Sequence, residues 1–282
     1  MKADISELLS GAYDLHIHAA PSPFHRLIDE FELLRSANEA RMAGILIKSH
    51  YESTAARAET ANKYAGASAR AYGSLALNHP VGGLNPYAVH NAAVHGARII
   101  FMPTRDAENS LRSGDMPGDF FSRPGITVFS PEGRLKPVVY DIIDIARKYD
   151  IALATGHLSP PESIALCRAG CDAGARMLLT HPEFSRTRIP ARTQLELARR
   201  GVIIEKCWYN IAEGECSAAE MARTIQTVGA EHCYLTTDRG QQHREAPAQG
   251  MRRFIAALAS CGISDRQLET MLKVTPKLVL NV

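Results

Sequence analysis

The stretch Tyr13-Asp-Leu-His-Ile-His18 is an apolar run that ends on two histidines and then breaks into the proline-rich segment Ala19-Ala-Pro-Ser-Pro23. In a β-strand, residues i and i+2 point to the same face, so His16 and His18 are expected to converge on one point. Imidazole is a preferred ligand of zinc and related metals, and two histidines supply half of a tetrahedral site. A single H-x-H is equally compatible with two structural histidines, so its meaning depends on the rest of the chain.

The composition is that of an ordinary globular protein. The chain has 282 residues, 45% of them hydrophobic, which suffices for one large α/β domain over 1–282. Its 32 basic and 30 acidic residues are interspersed, unlike the basic blocks of nucleic-acid binders. No apolar stretch reaches membrane-spanning length, the N-terminus is polar, and the six cysteines form no C-x-x-C motif. We therefore expect a cytoplasmic protein that acts on a small molecule and binds neither nucleic acid nor membrane. The sequence leaves open whether it forms a homo-oligomer.

Short apolar runs bounded by Gly, Pro or Asn predict eight β-strands, and helical patterns lie between them. The predicted strands are Tyr13–His18, Gly44–Tyr51, Ala71–Asn78, Ala97–Pro103, Ile151–His157, Arg176–His181, Val202–Cys207 and Cys233–Asp238. The predicted helices are Asp29–Ala43, Glu52–Ala65, Pro86–His95, Val138–Tyr149, Pro161–Ala169, Ala191–Arg200, Ala218–Val228 and Pro247–Ala259. Eightfold alternation of buried strands with helices predicts a closed (β/α)₈ TIM barrel. No G-x-G-x-x-G follows the first strand, which argues against a dinucleotide-binding sheet.

One connection is much longer than the others. The insert after the fourth predicted strand, Arg105–Lys136, contains a loop rich in Gly, Pro and Ser and then a predicted hairpin that turns at Pro131-Glu-Gly133. Long loops at the carboxyl end of a barrel are commonly lids, and we expect this role here. After the eighth helix, Ser264–Leu272 and Pro276–Leu280 are expected to be terminal helices that close the outside of the barrel.

Polar residues gather at the carboxyl ends of the predicted strands. All eight ends of a barrel face one cavity, so such residues can converge. The candidate metal ligands are His16, His18, Lys48, His157, His181 and Asp238. His50, His79, Glu205 and Arg239 lie at or just beyond other strand ends, whereas the fourth strand carries no obvious ligand. Chance placement of so many histidines at strand ends is improbable, which predicts a metal centre at this end of the barrel.

The arrangement resembles the amidohydrolase superfamily: H-x-H on strand one, His at the ends of strands five and six, and Asp at the end of strand eight. The full chain resembles an uncharacterised branch of it, through Asn78-His-Pro-Val-Gly-Gly-Leu-Asn-Pro86, Gly156-His-Leu-Ser-Pro160 and Thr237-Asp-Arg-Gly-Gln241. The resemblance implies one or two divalent metal ions and attack by metal-activated water. Zinc is the expected ion, with manganese or iron as alternatives.

Members of the superfamily with two metals usually bridge them with a carboxylated Lys or a Glu on strand four, and this chain has neither there. Lys48, in phase with His50 on strand two, is expected to face the metals instead. Three interpretations remain open for it: a carboxylated bridging ligand, an ammonium that binds an anionic substrate group, or an ion pair with Glu205.

Roles for the remaining residues follow from this chemistry. Asp238 can take a proton from the water and pass it to the leaving group, while His50, His79 or Arg239 stabilises the developing oxyanion. Arg239 and Glu205 are expected to contact the substrate, although Arg239 could equally buttress its loop. His25 and Arg26 could reach the substrate from the loop after strand one.

The predicted function is metal-dependent hydrolysis of a small amide, cyclic amide, lactone or ester. A metal-dependent lyase on the same barrel, a decarboxylase or hydratase, is the main alternative. A PHP-type phosphoesterase also begins with D-L-H-x-H, but it normally closes with an Asp-x-His pair where this chain has Asp238-Arg-Gly. A barrel that binds metal without turnover is disfavoured by Asp238.

Overall fold

The computed structural model describes residues 4–114 and 122–282 and confirms the predicted barrel. Its eight strands are β1 (Tyr13–Ile17), β2 (Gly44–Ile47), β3 (Arg70–Ala76), β4 (Ala97–Phe101), β5 (Ala152–Ala154), β6 (Met177–Leu179), β7 (Ile203–Cys207) and β8 (Cys233–Thr236). Each strand pairs in parallel with the next in chain order. Backbone hydrogen bonds of 2.8 Å from His18 N to Arg239 O and from Asp238 N to His16 O join the first and last strands. The sheet is thereby closed, and all strand carboxyl ends lie at one rim.

Helices cover the outside of the sheet, close to where the sequence predicts them. They are α1 (Ile5–Leu9), α2 (Glu30–Glu39), α3 (Ala55–Tyr64), α4 (Pro86–Val94), α5 (Glu108–Arg112), α6 (Pro137–Lys148), α7 (Pro160–Asp172), α8 (Ala191–Ala198), α9 (Trp208–Ala212), α10 (Ala218–Val228), α11 (Pro247–Ser260), α12 (Asp265–Glu269) and α13 (Thr275–Leu280). Capping boxes begin α2, α7 and α10, each satisfying backbone N–H groups that the first helical turn leaves unpaired. No helix among the described residues is long and apolar enough to cross a membrane.

Apolar packing forms two layers. The larger layer lies between strands and helices, and the smaller fills the barrel interior with side chains such as Leu15, Leu46, Phe101 and Tyr234. Because the interior below the rim is filled, polar side chains can gather only at the carboxyl end, where the pocket opens.

The sequence predicts two terminal helices on the outside of the barrel, but the last helix, α13, does not lie there. Val279 and Leu280 of α13 are buried in the interior cluster together with Tyr13, the first residue of β1. The α13 helix contacts β1, β4 and β8, so it closes the amino end of the barrel. The apolar pattern of these residues indicated burial but could not indicate which surface buries them.

The described parts of the insert lie at the carboxyl rim. Its hairpin is confirmed by the antiparallel bridge between Phe129 and Leu135. Glu162 in the first turn of α7 accepts hydrogen bonds from Thr127 Oγ1 at 2.5 Å and Val128 N at 3.0 Å, which fixes the hairpin beside the rim. Residues 115–121 of the predicted lid lie outside the described residues, and closure of the lid remains a prediction.

At Gly240, the loop after β8 lies very close to the backbone of His18, where the first and last strands join. The φ of Gly240 is +123°, and an added Cβ would lie 1.8 Å from His18 O. We predict that Gly240→Ala lowers the free energy of unfolding by about 2–4 kcal/mol, because the loop after β8 must move away from β1. Thermal and denaturant unfolding measure the loss. Gly201→Ala is the matched control, since φ is +98° there but nothing lies within 4 Å of the added Cβ. Equal losses in the two variants would contradict the role of the close contact.

Candidate metal centre

Polar side chains at the carboxyl ends of the strands surround a pocket of about 570 Å³. The predicted site residues that line it are His18, Lys48, His50, His157, His181 and Asp238. His16 lies directly beneath them and is fully buried. Seven residues from strands far apart in the chain therefore converge at one place, as the barrel topology predicts.

Five imidazole rings lie side by side at the floor of this pocket. The ring centroids of His18 and His50 are 4.8 Å apart, and those of His16 and His181 are 4.9 Å apart. His157 lies 5.7 Å from His181, centroid to centroid. The Asp238 carboxylate contacts three of the rings, at 3.0 Å from His18 Nε2, 3.4 Å from His16 Nε2 and 3.6 Å from His181 Nε2. Ligand atoms of His16, His181 and Asp238 all lie within 4.8 Å of one another, a spacing compatible with a shared metal ion.

Burial keeps these imidazoles neutral. It lowers the pKa of His16 to about 3 and that of His181 to about 4, and it lowers the pKa values of His18, His50 and His157 well below their ordinary value. The pKa of Asp238 lies well below its usual range, against the opposing effect of burial. A neutral imidazole and an ionised carboxylate are the forms that bind metals.

The contact between His18 and Asp238 tests whether these residues fit a cation. His18 Nδ1 lies 2.9 Å from the Lys48 carbonyl oxygen, which can only accept, so Nδ1 carries the proton. The unprotonated Nε2 then faces Asp238 Oδ1 at 3.0 Å, and both atoms are acceptors. Asp238 Oδ1 is buried and has no hydrogen-bond partner among the described residues. Two converging acceptors of this kind fit a bound cation, which would satisfy both.

The backbone at two of these residues is also unusual. His181 has a φ of 49° and Asp238 a φ of 50°, in the left-handed region that residues other than glycine rarely adopt. Each costs on the order of 1 kcal/mol, and such strain concentrates at functional sites. Both residues lie two positions after the ends of their strands, β6 and β8.

A residue that contacts the substrate would line the pocket, but Glu205 does not. It is fully buried below the histidines, with Oε2 at 3.1 Å from His16 Nδ1 and Oε1 at 3.1 Å from His181 Nδ1. Tyr234 donates its hydroxyl to the same carboxylate at 3.0 Å. An ionised Glu205 accepts the Nδ1 proton of His16 and thereby turns the Nε2 lone pair toward Asp238. Glu205 is therefore placed to orient ligands, and its side chain is out of reach of a substrate.

Lys48 contacts the centre in the way its position on strand two predicts. Its Nζ lies 2.7 Å from His16 Nε2 and 4.7 Å from the centre of the Phe101 ring. Of the three interpretations left open for Lys48, the ion pair with Glu205 is absent between these two described side chains. Burial lowers the pKa of Lys48 to about 8, against the opposing effect of Asp238 and Glu205. With this lower pKa, a larger fraction of the Lys48 side chain is neutral. The neutral amine is the form that reacts with carbon dioxide.

His50 is held by a residue that the sequence analysis overlooked. Its Nδ1 lies 2.8 Å from the hydroxyl of Thr104, just after β4, and Asn78 Nδ2 donates to the same hydroxyl at 2.7 Å. The fourth predicted strand carries no obvious metal ligand, because threonine is not a usual one. The structure gives it an orienting role, and the Asn78 and Thr104 pair fixes the His50 ring at the pocket wall.

His79 does not lie in the pocket and so cannot stabilise an oxyanion there. It is exposed, and its Nε2 lies 2.8 Å from Pro124 O in the insert. The prediction placed it directly after strand three, but β3 ends at Ala76, and the turn that follows carries the side chain away from the mouth.

Arg239 is likewise turned away from the pocket. It is buried, with Nη1 at 3.3 Å from Glu213 and Nε at 3.2 Å from Glu245. The structure therefore supports the alternative that Arg239 buttresses its loop. Glu245 lies six residues from Arg239 and Glu213 lies 26 residues away, and the two together neutralise its charge.

Cys207 was not considered as a ligand, yet it belongs to a second candidate group. Ligand atoms of His181, Glu205 and Cys207 lie within 4.8 Å of one another. Cys207 follows Glu205 by two residues on β7, so the same alternation that aligns His16 with His18 could have indicated it.

Comparison with known proteins places the chain in a family. Residues 11–205 match the model of a family of unknown function, DUF6282. The chain belongs to the DUF6282 family. No curated protein matches it significantly.

The barrel of this DUF6282 protein is similar to several solved structures. An amidohydrolase from Pseudomonas aeruginosa has a TM-score of 0.66 at 11% identity, over 99% of this chain and 100% of the other. A mutant organophosphorus hydrolase from Deinococcus radiodurans has a TM-score of 0.59 at 11% identity, over 99% and 97%. A 2,6-dihydroxybenzoate decarboxylase from Rhizobium has a TM-score of 0.56 at 12% identity, over 96% and 99%. These neighbours confirm the predicted resemblance to amidohydrolase-superfamily barrels at the level of the fold.

The placement of Glu205 leads to a first prediction for this site. Glu205→Gln should weaken zinc binding about 10- to 100-fold, because the amide accepts less strongly from His16 Nδ1. Competition against a chromophoric chelator measures the affinity. Glu183→Gln is a matched control, since Glu183 is also buried but pairs with Lys206. Unchanged zinc affinity in Glu205→Gln, or an equal loss in Glu183→Gln, would refute the orienting role.

Lys48 gives a second prediction. If Lys48 is a carboxylated bridging ligand, Lys48→Ala in this DUF6282 protein should lose one equivalent of metal and recover it in part when formate or acetate is added. Elemental analysis measures the metal, and Lys63→Ala on the surface of α3 is the control. Retained metal with weakened binding of anionic substrates would instead identify Lys48 as an ammonium. Full metal content with unchanged kinetics would exclude both roles.

Proposed function

We propose that this protein is a metal-dependent hydrolase that uses metal-activated water on a small amide, cyclic amide, lactone or ester. The observation that carries the proposal is the pair of facing acceptors, His18 Nε2 and Asp238 Oδ1, beneath an open pocket. Buried acceptor atoms that face each other are rare where no function requires them, and a bound cation would satisfy both.

The residues that would hold the ion are the candidate ligands at the pocket floor. They are His16, His18, His157, His181 and Asp238, with Lys48 as the sixth candidate. A donor set rich in imidazole suits zinc, with manganese or iron as alternatives. When bound, a divalent ion lowers the pKa of water toward neutrality and polarises the carbonyl group of the substrate.

Asp238 is the group placed to move the proton. Its side chain is only slightly exposed, at the point where the floor meets the pocket, and its pKa lies well below the usual range. It is therefore ionised at neutral pH and can accept a proton from water and return it to the leaving group. His50 faces the same space and, as a neutral imidazole, can donate one hydrogen bond to a developing oxyanion.

The first test is metal content. We expect the purified protein to contain one or two equivalents of a divalent metal, because the five candidate ligands share one buried site. Elemental analysis checks the content, and His157→Ala should lower it. Less than about a tenth of an equivalent, with no activity on adding Zn²⁺ or Mn²⁺, would refute the proposal.

The second test removes the proton acceptor. Asp238→Asn should lower kcat by about 10²–10⁴ while the chain stays folded, because an amide cannot take up the proton. A screen of lactones, cyclic amides and esters supplies the substrate, and circular dichroism checks the fold. More than about a third of the wild-type rate in the variant would contradict the assignment.

A lyase on the same barrel is the main alternative, and the reaction in water enriched in heavy oxygen separates a decarboxylase from a hydrolase. Hydrolysis places one oxygen atom of the solvent in the product, whereas decarboxylation releases carbon dioxide without that incorporation.

A further inference from the structure

A second group of potential metal ligands lies below the pocket floor, and the proposed function leaves it unused. This deeper group consists of His181, Glu205 and Cys207, whose ligand atoms all lie within 4.8 Å of one another. Glu205 and Cys207 are fully buried, and only 2% of His181 is exposed. Ligand atoms that share one tetrahedral zinc ion lie about 3–4 Å apart, so small shifts bring these three side chains into that range.

The β7 strand brings the carboxylate and the thiol together. Glu205 and Cys207 are two residues apart on this strand, so their side chains point to the same face. Lys206, between them, faces the opposite way, where it pairs with Glu183. His181 comes from the neighbouring strand and lies two residues after the end of β6. Two paired strands therefore fix the distances within the deeper group.

Two of the three ligands have a buried atom without a hydrogen bond. His181 Nδ1 and Glu205 Oε1 have no hydrogen-bond partner in the part of the chain that the structure describes. They lie 3.1 Å apart, yet their relative orientation is not that of a hydrogen bond. The other carboxylate oxygen, Oε2, already contacts His16 and Tyr234. A buried polar atom without a partner is costly, and a cation bound to both atoms would satisfy them together.

His181 faces the two groups of ligands with opposite ring nitrogens. Its Nε2 lies 3.6 Å from Asp238 Oδ2 at the pocket floor, whereas its Nδ1 faces Glu205. An ion at the pocket floor would therefore leave free the nitrogen that the deeper group uses. A neutral imidazole carries one proton, so the ring must lose that proton to bind two ions at once.

Charge balance permits a divalent ion at this depth. Without an ion, the deeper group has the single negative charge of an ionised Glu205. Binding displaces one proton from the Cys207 thiol and one from the His181 ring, and both protons leave to the solvent. Two positive charges enter as two others depart, so the net charge of the buried group does not change. An uncompensated buried charge would be strongly unfavourable, and this exchange avoids it.

We infer that His181, Glu205 and Cys207 form a second metal site, below the pocket floor, with zinc as its ion. Thiolate, imidazole and carboxylate all bind zinc, whereas magnesium and calcium prefer oxygen ligands alone. The inference goes beyond the proposed function, because it does not depend on the bond that is cleaved. An ion held by His181 Nδ1 would also fix the direction in which Nε2 faces the pocket.

Cobalt substitution tests the inference, because a thiolate bound to Co²⁺ gives a charge-transfer band in the near ultraviolet that imidazole and carboxylate ligands do not give. We expect the purified protein, exchanged into excess CoCl₂, to show this band. Cys207→Ser should abolish the band and lower the bound metal by one equivalent in elemental analysis. Cys233→Ser is the matched control, since Cys233 is also buried but lies at the amino end of β8. This control should keep both the band and the metal.

The wild-type spectrum decides the question even if a variant does not fold, because absence of the band at saturating cobalt would overturn the inference. A band that persists in a Cys207→Ser protein with wild-type circular dichroism would overturn it as well. Metal-dependent turnover without the thiolate band would refute the deeper site alone. A thiolate band that depends on Cys207, in a protein without turnover on any amide, lactone or ester, would refute the hydrolase alone.

Discussion

The site depends on the burial of five imidazoles against one carboxylate. Removal from water keeps the histidines neutral, so their lone pairs are available, but it also leaves Asp238 with acceptors around it and few donors. The pKa of this carboxyl lies well below its usual range, against the opposing effect of burial. A divalent cation resolves the conflict, because it satisfies carboxylate and imidazole together. The strained backbone at His181 and Asp238 is the cost of bringing these groups into contact.

The surrounding fold restricts the orientation of these groups. Asp14, on β1 below His16, accepts hydrogen bonds from the hydroxyls of Thr236 and Thr237 at 2.5 Å each. These bonds fix the chain immediately before Asp238. Burial raises the pKa of Asp14 to about 6 despite those hydrogen bonds, so this carboxylate is also held in an unfavourable environment. The D-L-H-x-H stretch thus supplies ligands through His16 and His18 and an anchor through Asp14.

Residues whose positions depend on strand period and barrel topology could be predicted from the sequence. Side chains alternate along a strand, which predicts that His16 and His18 share a face. All strand ends of a barrel lie at one rim, which predicts that His157 and His181 lie near them. Residues whose role depends on a partner remote in the sequence could not be predicted. Arg239 faces Glu213 and Glu245, and Glu205 lies under His16, because of contacts that only the folded chain creates. The turn after β3 carries His79 out of the pocket for a similar reason.

The charges of the pocket are arranged by depth, and this arrangement restricts how a substrate can bind. At the floor, the neutral imidazoles and Asp238 together favour a cation and repel an anion that lacks one. At the wall, the Arg26 guanidinium stacks on the Phe24 ring and favours an anion. A substrate with a neutral carbonyl at one end and an anion at the other therefore has one favourable orientation, with the carbonyl toward Asp238. The reverse orientation would place its anion near the Asp238 carboxylate. Orientation by charge in this way would position the reacting bond before any lid closes.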